Sequence, residues 1–147
     1  MKMIEMRGPS IAFVMVSWVV LAAGMIAYFA GLWNSDMELN EKGYYLVVLL
    51  YALFSVISVQ KSVRDRLEGV PVTNIYYGLA WASVIAAIVL LGVGLFNVEG
   101  LEPSEKGFFA ISFVMSIFAA VAVQKNTRDT EEINKANGPG PSDVIDA

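Results

Sequence analysis

Long apolar stretches alternate with short polar segments along most of the chain. Four of them contain no Asp, Glu, Lys or Arg: residues 11–33, 43–59, 75–96 and 107–123. A helix rises about 1.5 Å per residue, so about 20 apolar residues cross a hydrocarbon layer about 30 Å thick. The two longer stretches are sufficient alone, and we expect the polar flanks to complete the two shorter ones. The pattern therefore predicts four transmembrane helices.

The polar segments show that the chain contains an internal repeat. Asn-Glu-Lys-Gly-Tyr-Tyr at residues 40–45 returns as Ser-Glu-Lys-Gly-Phe-Phe at residues 104–109. Gln-Lys-x-x-Arg-Asp at residues 60–65 returns at residues 124–129. Both motifs return after 64 residues, so each copy holds one longer and one shorter apolar stretch.

Upstream positions are related by a slightly smaller offset. Trp18 and Trp81 are 63 residues apart, which places a one-residue insertion between Asn97 and Ser104. Each copy contains two spans, so the copies enter the membrane in the same direction. They are parallel repeats, related by an axis along the membrane normal.

The predicted helices are preceded by residue types that suit helix starts. Ser10 and Thr73 stand before the longer stretches, where a hydroxyl accepts a hydrogen bond from a first-turn N–H group. Asn40 and Ser104 precede the shorter stretches and are also N-cap types. We therefore predict these four residues as N-caps.

Basic residues are distributed unequally between the two ends of the predicted helices. Eight lie on the side of the chain termini, and two lie on the side of the short acidic loops. Because Lys and Arg concentrate in cytoplasmic segments, we expect both termini and the central linker in the cytoplasm. The eight are Lys2, Arg7, Lys61, Arg64, Arg66, Lys125, Arg128 and Lys135, and the two are Lys42 and Lys106.

Composition agrees with a membrane protein and excludes several classes of function. Hydrophobic residues make up 56% of the chain and charged residues 16%, against roughly 45–50% and 25% in soluble domains. Cys and His are absent, which excludes disulfides, a thiolate nucleophile, the usual zinc sites and His-ligated haem. A net charge of −4 without a basic run argues against a nucleic-acid partner. We expect no catalytic residues, no cofactor and no metal site.

The repeated Gln-Lys-x-x-Arg-Asp motif is the first candidate contact site. Its simplest role is a cytoplasmic topology anchor with a compensating carboxylate. Alternatively, the two copies present Arg64 and Arg128 side by side to lipid headgroups or a partner protein, since Arg suits bidentate contacts. Along one helix, Lys61 pairs with Asp65, and Arg64 with Glu68. The candidate residues are Gln60, Lys61, Arg64, Asp65, Gln124, Lys125, Arg128 and Asp129.

The second candidate contact site lies at the start of the shorter stretches, at Glu41, Lys42, Glu105 and Lys106. A Glu in the first turn interacts favourably with the helix dipole, so a helix start explains the pattern. The alternative is an outer-face site in which Glu41 and Glu105 bind a cation or a partner.

Small residues recur three or four positions apart on every predicted helix and let membrane helices approach closely. They indicate packing within one four-helix monomer or, alternatively, a seam with a second protein. Ionisable groups inside a membrane mark proton relays and ion paths, and their absence argues against a proton-coupled exporter. Ser55, Ser58, Ser112 and Ser116 would line a polar path if they faced a shared cavity.

A resemblance to a known family rests on strings at residues 31–34, 39–45, 60–61, 63–65, 68–69, 75–77, 104–108 and 120–126. They resemble the YiaA/YiaB family of bacterial inner-membrane proteins, whose unit is a two-helix domain. The resemblance covers about residues 10–129. It implies a multi-pass protein of the bacterial cytoplasmic membrane built from two such domains, and it brings no catalytic residues.

These observations predict an all-α integral membrane protein with four transmembrane helices, arranged as two tandem parallel-repeat helical hairpins. The first repeat is residues 10–68 and the second is residues 73–130. Residues 131–147 are expected to form a disordered cytoplasmic tail. We expect a non-enzymatic inner-membrane protein that acts through contacts with membrane lipids, a membrane-protein partner or a second copy of itself. The alternative is a small channel or transporter that works as a homo-oligomer.

Overall fold

The computed structural model describes residues 7–138, which form four α-helices. Helix α1 spans Ile11–Asn34, α2 spans Leu39–Leu67, α3 spans Asn74–Asn97 and α4 spans Pro103–Ala136. Each helix is long and apolar enough to cross a membrane. The predicted all-α class is confirmed, and the polar flanks do complete the two shorter stretches.

The starts of α1 and α3 are capped as predicted. The hydroxyls of Ser10 and Thr73 each accept a hydrogen bond of 3.2 Å from the backbone N–H three residues later. These bonds satisfy N–H groups that have no partner within the helix.

The predicted caps of α2 and α4 are wrong. Glu38 and Glu102 hold the N-cap positions, and the helices begin before Asn40 and Ser104. The backbone N–H of each capping glutamate donates to the carboxylate three residues later, at 3.0 Å in α2 and 2.8 Å in α4. This capping-box contact satisfies the N-cap amide and explains the earlier starts.

Short connections define the two ends of the bundle. Residues 35–38 and 98–102 form what we call the loop end, and the connection at 68–73 lies at the opposite, termini end. The second loop is one residue longer than the first, which confirms the predicted insertion. Gly100 in that loop and Gly69 after α2 have φ values of +84° and +77°, which glycine adopts without a Cβ penalty.

The helices pack across the two repeats more than within them. Helix α1 packs mainly on α4, and α3 packs mainly on α2, while α2 and α4 form a central pair. Contacts between α1 and α2 are sparse. The predicted hairpins are therefore correct as chain segments, but the two helices of a hairpin do not form a packing unit.

Equivalent positions are buried on the two flanking helices. The buried residues of α1 recur in α3 at the repeat offset of 63, so both flanking helices place the same face against the central helix of the other copy. In α1 they are Ser17, Gly24, Tyr28 and Leu32, and in α3 they are Ala80, Ala87, Leu91 and Leu95.

Near the loop end, a glycine of each flanking helix faces the aromatic pair of the other repeat. A Cβ added at Gly31 would lie 3.1 Å from the aromatic pair at 108–109, and one at Gly94 would lie 2.7 Å from the pair at 44–45. The absence of a side chain thus lets the rings approach the helix backbone. The two repeated loop-end motifs meet each other across the repeats.

The small-residue faces of α2 and α4 are buried between helices, whereas those of the flanking helices are partly exposed. Ala23, Gly78 and Ala82 face outward. The buried small residues of the central helices include Ala52, Ser55, Ser58, Ser112, Ser116 and Ala120.

Helix α4 is longer than predicted. It continues to Ala136, so the expectation of disorder is wrong for residues 131–136. The guanidinium of Arg64 on α2 donates to the carboxylate of Glu132 at 2.9 Å, which fixes this turn against the bundle. The rest of the predicted tail, from residue 139 onward, lies outside the described residues.

Candidate functional site

The two Gln-Lys-x-x-Arg-Asp motifs meet at the termini end, because α2 and α4 are the central parallel pair. The guanidinium of Arg64 lies 2.5 Å from the carboxylate of Asp129. The guanidinium of Arg128 lies 2.6 Å from the carboxylate of Asp65. Each arginine therefore binds the aspartate of the other repeat, as an approximate twofold axis between the helices requires.

Two glutamates complete the contacts of the arginines. Arg64 lies 2.9 Å from both Glu68 and Glu132. Arg128 lies 2.9 Å from Glu68 and 3.7 Å from Glu132. The predicted pair between Arg64 and Glu68 is confirmed, but sequence reasoning missed Glu132. The repeat offset of 64 makes Glu132 the equivalent of Glu68, and this signal would have identified it.

Lysines occupy the edges of the same cluster. Lys61 binds Asp65 at 2.8 Å, as predicted, and Lys125 binds Asp129 at 2.7 Å. Both lysine side chains are more than half exposed. We call the eight residues the charge cluster: Lys61, Arg64, Asp65, Glu68, Lys125, Arg128, Asp129 and Glu132.

The charge cluster contains four basic and four acidic groups, so it is electrically balanced. The side chains of Arg64 and Arg128 are only 15% and 21% exposed. The two arginines lie near each other as predicted, but carboxylates already occupy their donors. Their first structural effect is to join the two repeats.

The neighbouring cations favour the ionised form of two carboxylates of the cluster. Hydrogen bonds from Lys61 and then Arg128 lower the pKa of Asp65. A hydrogen bond from Arg64 is the largest cause of the lowered pKa of Glu68. Both carboxylates lie beyond the apolar residues 43–59, so these contacts favour their ionised forms at the polar end of α2.

A cavity of about 480 Å³ opens beside the charge cluster. It lies between the end of α2 and the last turns of α4, which extend further along the chain than α2 does. Lys61 and Asp65 line it from α2, and Glu131 and Lys135 line it from α4. Lys125 is the repeat equivalent of Lys61 and is not part of the lining. Gln124 also lines the cavity, whereas its half-buried equivalent Gln60 does not.

A buried polar pair breaks the repeat symmetry close to this end. The side-chain amide of Asn126 donates to the hydroxyl of Ser17 at 3.2 Å, and both residues are buried. Their repeat equivalents are Ser62 and Ala80, which cannot form this contact. Among the described residues, the Asn126 Oδ1 atom has no hydrogen-bond partner. The repeat pattern could not indicate this pair, because the two residues differ between the copies.

Two equivalent cavities of about 350 and 330 Å³ lie at the loop end. Glu105 lines the first with Asn34, and Glu41 lines the second with Asn97. Each cavity therefore combines the capping-box glutamate of a central helix with the last residue of the flanking helix from the other repeat. The second candidate site is thus split into two separate recesses.

The lysines of the loop-end motif do not line these two recesses. Lys42 and Lys106 are half-buried. Neither has a carboxylate within ion-pair distance in the part of the chain that the structure describes. In residues 7–138, no group of three or more acidic residues is placed to hold a metal ion.

The fold and its paired motifs define a class: a multi-pass helical membrane protein made of two interlocked two-helix repeats. The chain belongs to the yiaA/B two helix domain family, whose pattern matches residues 13–65 and again residues 76–129. The predicted family membership is confirmed.

Relatives support the assignment over most of the chain. The protein is 53% identical over 118 residues to inner membrane protein YiaA of Escherichia coli (strain K12), covering 80% of this chain and 81% of that one. It is 38% identical over 63 residues to uncharacterized membrane protein YubF of Bacillus subtilis (strain 168), covering 42% of this chain and 72% of that one. No solved structure matches the chain significantly.

Proposed function

We propose that the protein acts through contacts with other components of the bacterial inner membrane, protein or lipid, and catalyses no reaction. The observation that carries this proposal is where the polar groups lie. Inside the bundle the serine hydroxyls are buried and bonded to their own helices, whereas the charged recess at the termini end opens on the surface.

The buried serines illustrate the first half of this observation. The hydroxyls of Ser55, Ser112 and Ser116 donate to the carbonyl oxygen four residues earlier, at 2.6, 2.8 and 2.7 Å. These serines and Ser58 are buried between helices. The alternative of a small channel or transporter depended on all four facing a shared cavity, and their burial removes that support.

The 480 Å³ cavity is the surface to which we assign the contact. Its lining carries both signs of charge, with Lys61 and Lys135 beside Glu131 and Glu132. A partner surface of mixed charge fits this lining better than a bare phosphate does, because the arginines already bind carboxylates. We assign this end to the cytoplasm, because Lys and Arg concentrate in cytoplasmic segments.

Extraction in mild detergent, followed by mass analysis of the intact assembly, tests the proposal. We expect a protein or lipid to be retained in fixed ratio, and Lys61→Gln combined with Glu131→Gln to reduce that retention. Lys125→Gln is the matched control, since Lys125 has the same ion-pair role but lies outside the cavity. A bare homo-oligomer that passes solutes across liposomes would refute the proposal and favour the channel.

A further inference from the structure

A fourth cavity lies between α1 and α2 near the loop end. Its volume is about 620 Å³, and its walls are almost entirely apolar. It exists because α1 packs on α4, which leaves the first hairpin open along its lipid-facing side. The apolar walls come from Phe29, Leu32 and Trp33 of α1 and from Leu39 and Leu46 of α2.

One cation stands among these apolar walls. The ammonium of Lys42 lines the cavity and lies 3.5 Å from the backbone carbonyl of Trp33. No carboxylate of residues 7–138 pairs with it. A lysine at a membrane interface keeps its ammonium at headgroup depth while its stem covers apolar surface. An unpaired ammonium above an apolar groove is complementary to the phosphate of a phospholipid.

The adjoining loop adds the opposite charge. Asp36 and Glu38 are exposed in the short connection between α1 and α2, within a few residues of Lys42. A purely anionic headgroup would meet these carboxylates unfavourably. A headgroup with a phosphate and an ammonium satisfies both signs, because the ammonium faces the acidic loop.

The second repeat keeps the cation but lacks the groove walls. Lys106 is the equivalent of Lys42, whereas Gly92 stands in place of Phe29 and Ala110 in place of Leu46. Gly92 leaves open space where a side chain would lie. Two of the side chains that wall the groove are therefore not repeated in the second copy.

We infer that the groove between α1 and α2 binds one phospholipid with a zwitterionic, ammonium-bearing headgroup. An acyl chain lies along the apolar walls, the phosphate contacts Lys42, and the ammonium faces the acidic loop. This inference rests on the proposed function, because it names a lipid as one of the contacts. The groove is separate from the cytoplasmic cavity.

One variant fills the groove, and another removes its cation. A Cβ at Gly43 meets no atom within 4 Å, so Gly43→Leu fills the groove and also favours the helix. Lys42→Gln removes the cation. Gly107→Leu and Lys106→Gln make the same changes in the second repeat, where a Cβ at Gly107 also meets nothing.

The experiment measures phospholipid retained per full-length chain after reconstitution in mixed vesicles and washing in mild detergent. The vesicles contain phosphatidylethanolamine and phosphatidylglycerol in equal amounts, and mass spectrometry quantifies each. We expect wild type and both second-repeat variants to retain phosphatidylethanolamine. Lys42→Gln and Gly43→Leu should each retain about tenfold less of it, which corresponds to about 1.4 kcal/mol of binding free energy. Equal retention by all five proteins, or preferential retention of phosphatidylglycerol, would overturn the inference.

The outcomes also separate this inference from the proposed function. If Lys42→Gln and Gly43→Leu keep their lipid while a partner still binds at the cytoplasmic cavity, the groove is wrong and the contact function stands. If wild type retains neither lipid nor protein and passes a solute across liposomes, both the lipid groove and the contact function are wrong.

Discussion

At the scale of single residues, the repeated motifs are best explained by contacts with their own second copy. Each arginine of the charge cluster binds the aspartate of the other repeat, at 2.5 Å for Arg64 and 2.6 Å for Arg128. Asp65 is only 7% exposed, and removing one partner from a charge shielded from water leaves the other poorly solvated. The motif therefore stabilises the fold whether or not it also binds a partner.

Replacing one arginine should destabilise the bundle measurably. We expect Arg128→Ala to lower the free energy of unfolding by about 2 kcal/mol, since it removes charge-assisted hydrogen bonds to Asp65 and Glu68. Lys125→Ala breaks one exposed ion pair and should cost less than about 0.5 kcal/mol. Denaturant unfolding in detergent measures both. Equal costs would show that the cross-repeat contacts add nothing.

Close approach of α1 and α4 depends on Gly24. A Cβ at this position would lie 2.7 Å from the Ser116 hydroxyl and 3.1 Å from the Ser116 backbone nitrogen. Gly24→Ala should therefore push the helices apart and cost about 1–3 kcal/mol.

The matched control is Gly92→Ala, because a Cβ there meets nothing within 4 Å. It should be neutral or stabilise the helix by up to about 1 kcal/mol. Thermal unfolding of wild type and the two variants measures both changes in stability. A Gly24→Ala protein as stable as Gly92→Ala would contradict the predicted contact.

At the scale of helices, the two-helix repeat is a unit of sequence but not of packing. Helices α2 and α4 form the centre, and each supports the flanking helix of the other copy. The ring of Tyr28 shows this, because it packs on Phe109 of α4 with centroids 5.6 Å apart. Its hydroxyl adds a contact within the first repeat, donating to the Tyr45 carbonyl of α2 at 2.7 Å. In this chain, each repeat therefore packs its helices mainly against the other copy.

Separating the repeats tests this interlocking. We expect residues 1–70 and 71–147, expressed together as two chains, to associate and co-purify, because α1 needs α4 and α3 needs α2. Each half expressed alone should be degraded or should self-associate. Affinity purification through a tag on one half measures the complex. Two halves that are each stable as monomers would disprove the interlocked arrangement.

At the scale of the whole molecule, two parallel repeats form a bundle whose ends differ in charge. The termini end carries the balanced charge cluster and most of the basic residues, and the loop end carries the acidic loops. Lipid faces the outer surfaces of α1 and α3, which expose most of their length. Symmetry is broken at Asn126 and in the groove beside Lys42, so the two faces of the molecule are not interchangeable.

Orientation in the membrane follows from this asymmetry of charge. We expect a reporter fused after Ala147 to be active in the cytoplasm, and one inserted in the loop at 35–38 to be active outside. Paired alkaline phosphatase and fluorescent-protein fusions provide the measurement. Phosphatase activity at Ala147 would reverse the predicted orientation.

The sequence by itself determined the spans, the repeat and the pairs that lie within one helix. Apolar length indicates a membrane helix because the hydrocarbon thickness is fixed. Lys61 and Asp65 were predictable because positions four apart share a helix face. The offset of 64 residues identified equivalent positions, and the insertion appeared where the second loop is longer.

Only the tertiary structure decided which helices touch. Chain order predicts that α1 packs on α2, its neighbour in the hairpin, yet α1 packs mainly on α4. Gly24 allows Ser116 to approach α1 closely, and α3 packs on α2 in the equivalent way. Equivalence in sequence does not specify proximity, so the bonds from Arg64 to Asp129 and Glu132 were not predictable from either motif alone. The groove beside Lys42 has the same origin. Helix α1 packs on α4 and not closely on α2, so a cavity remains between α1 and α2.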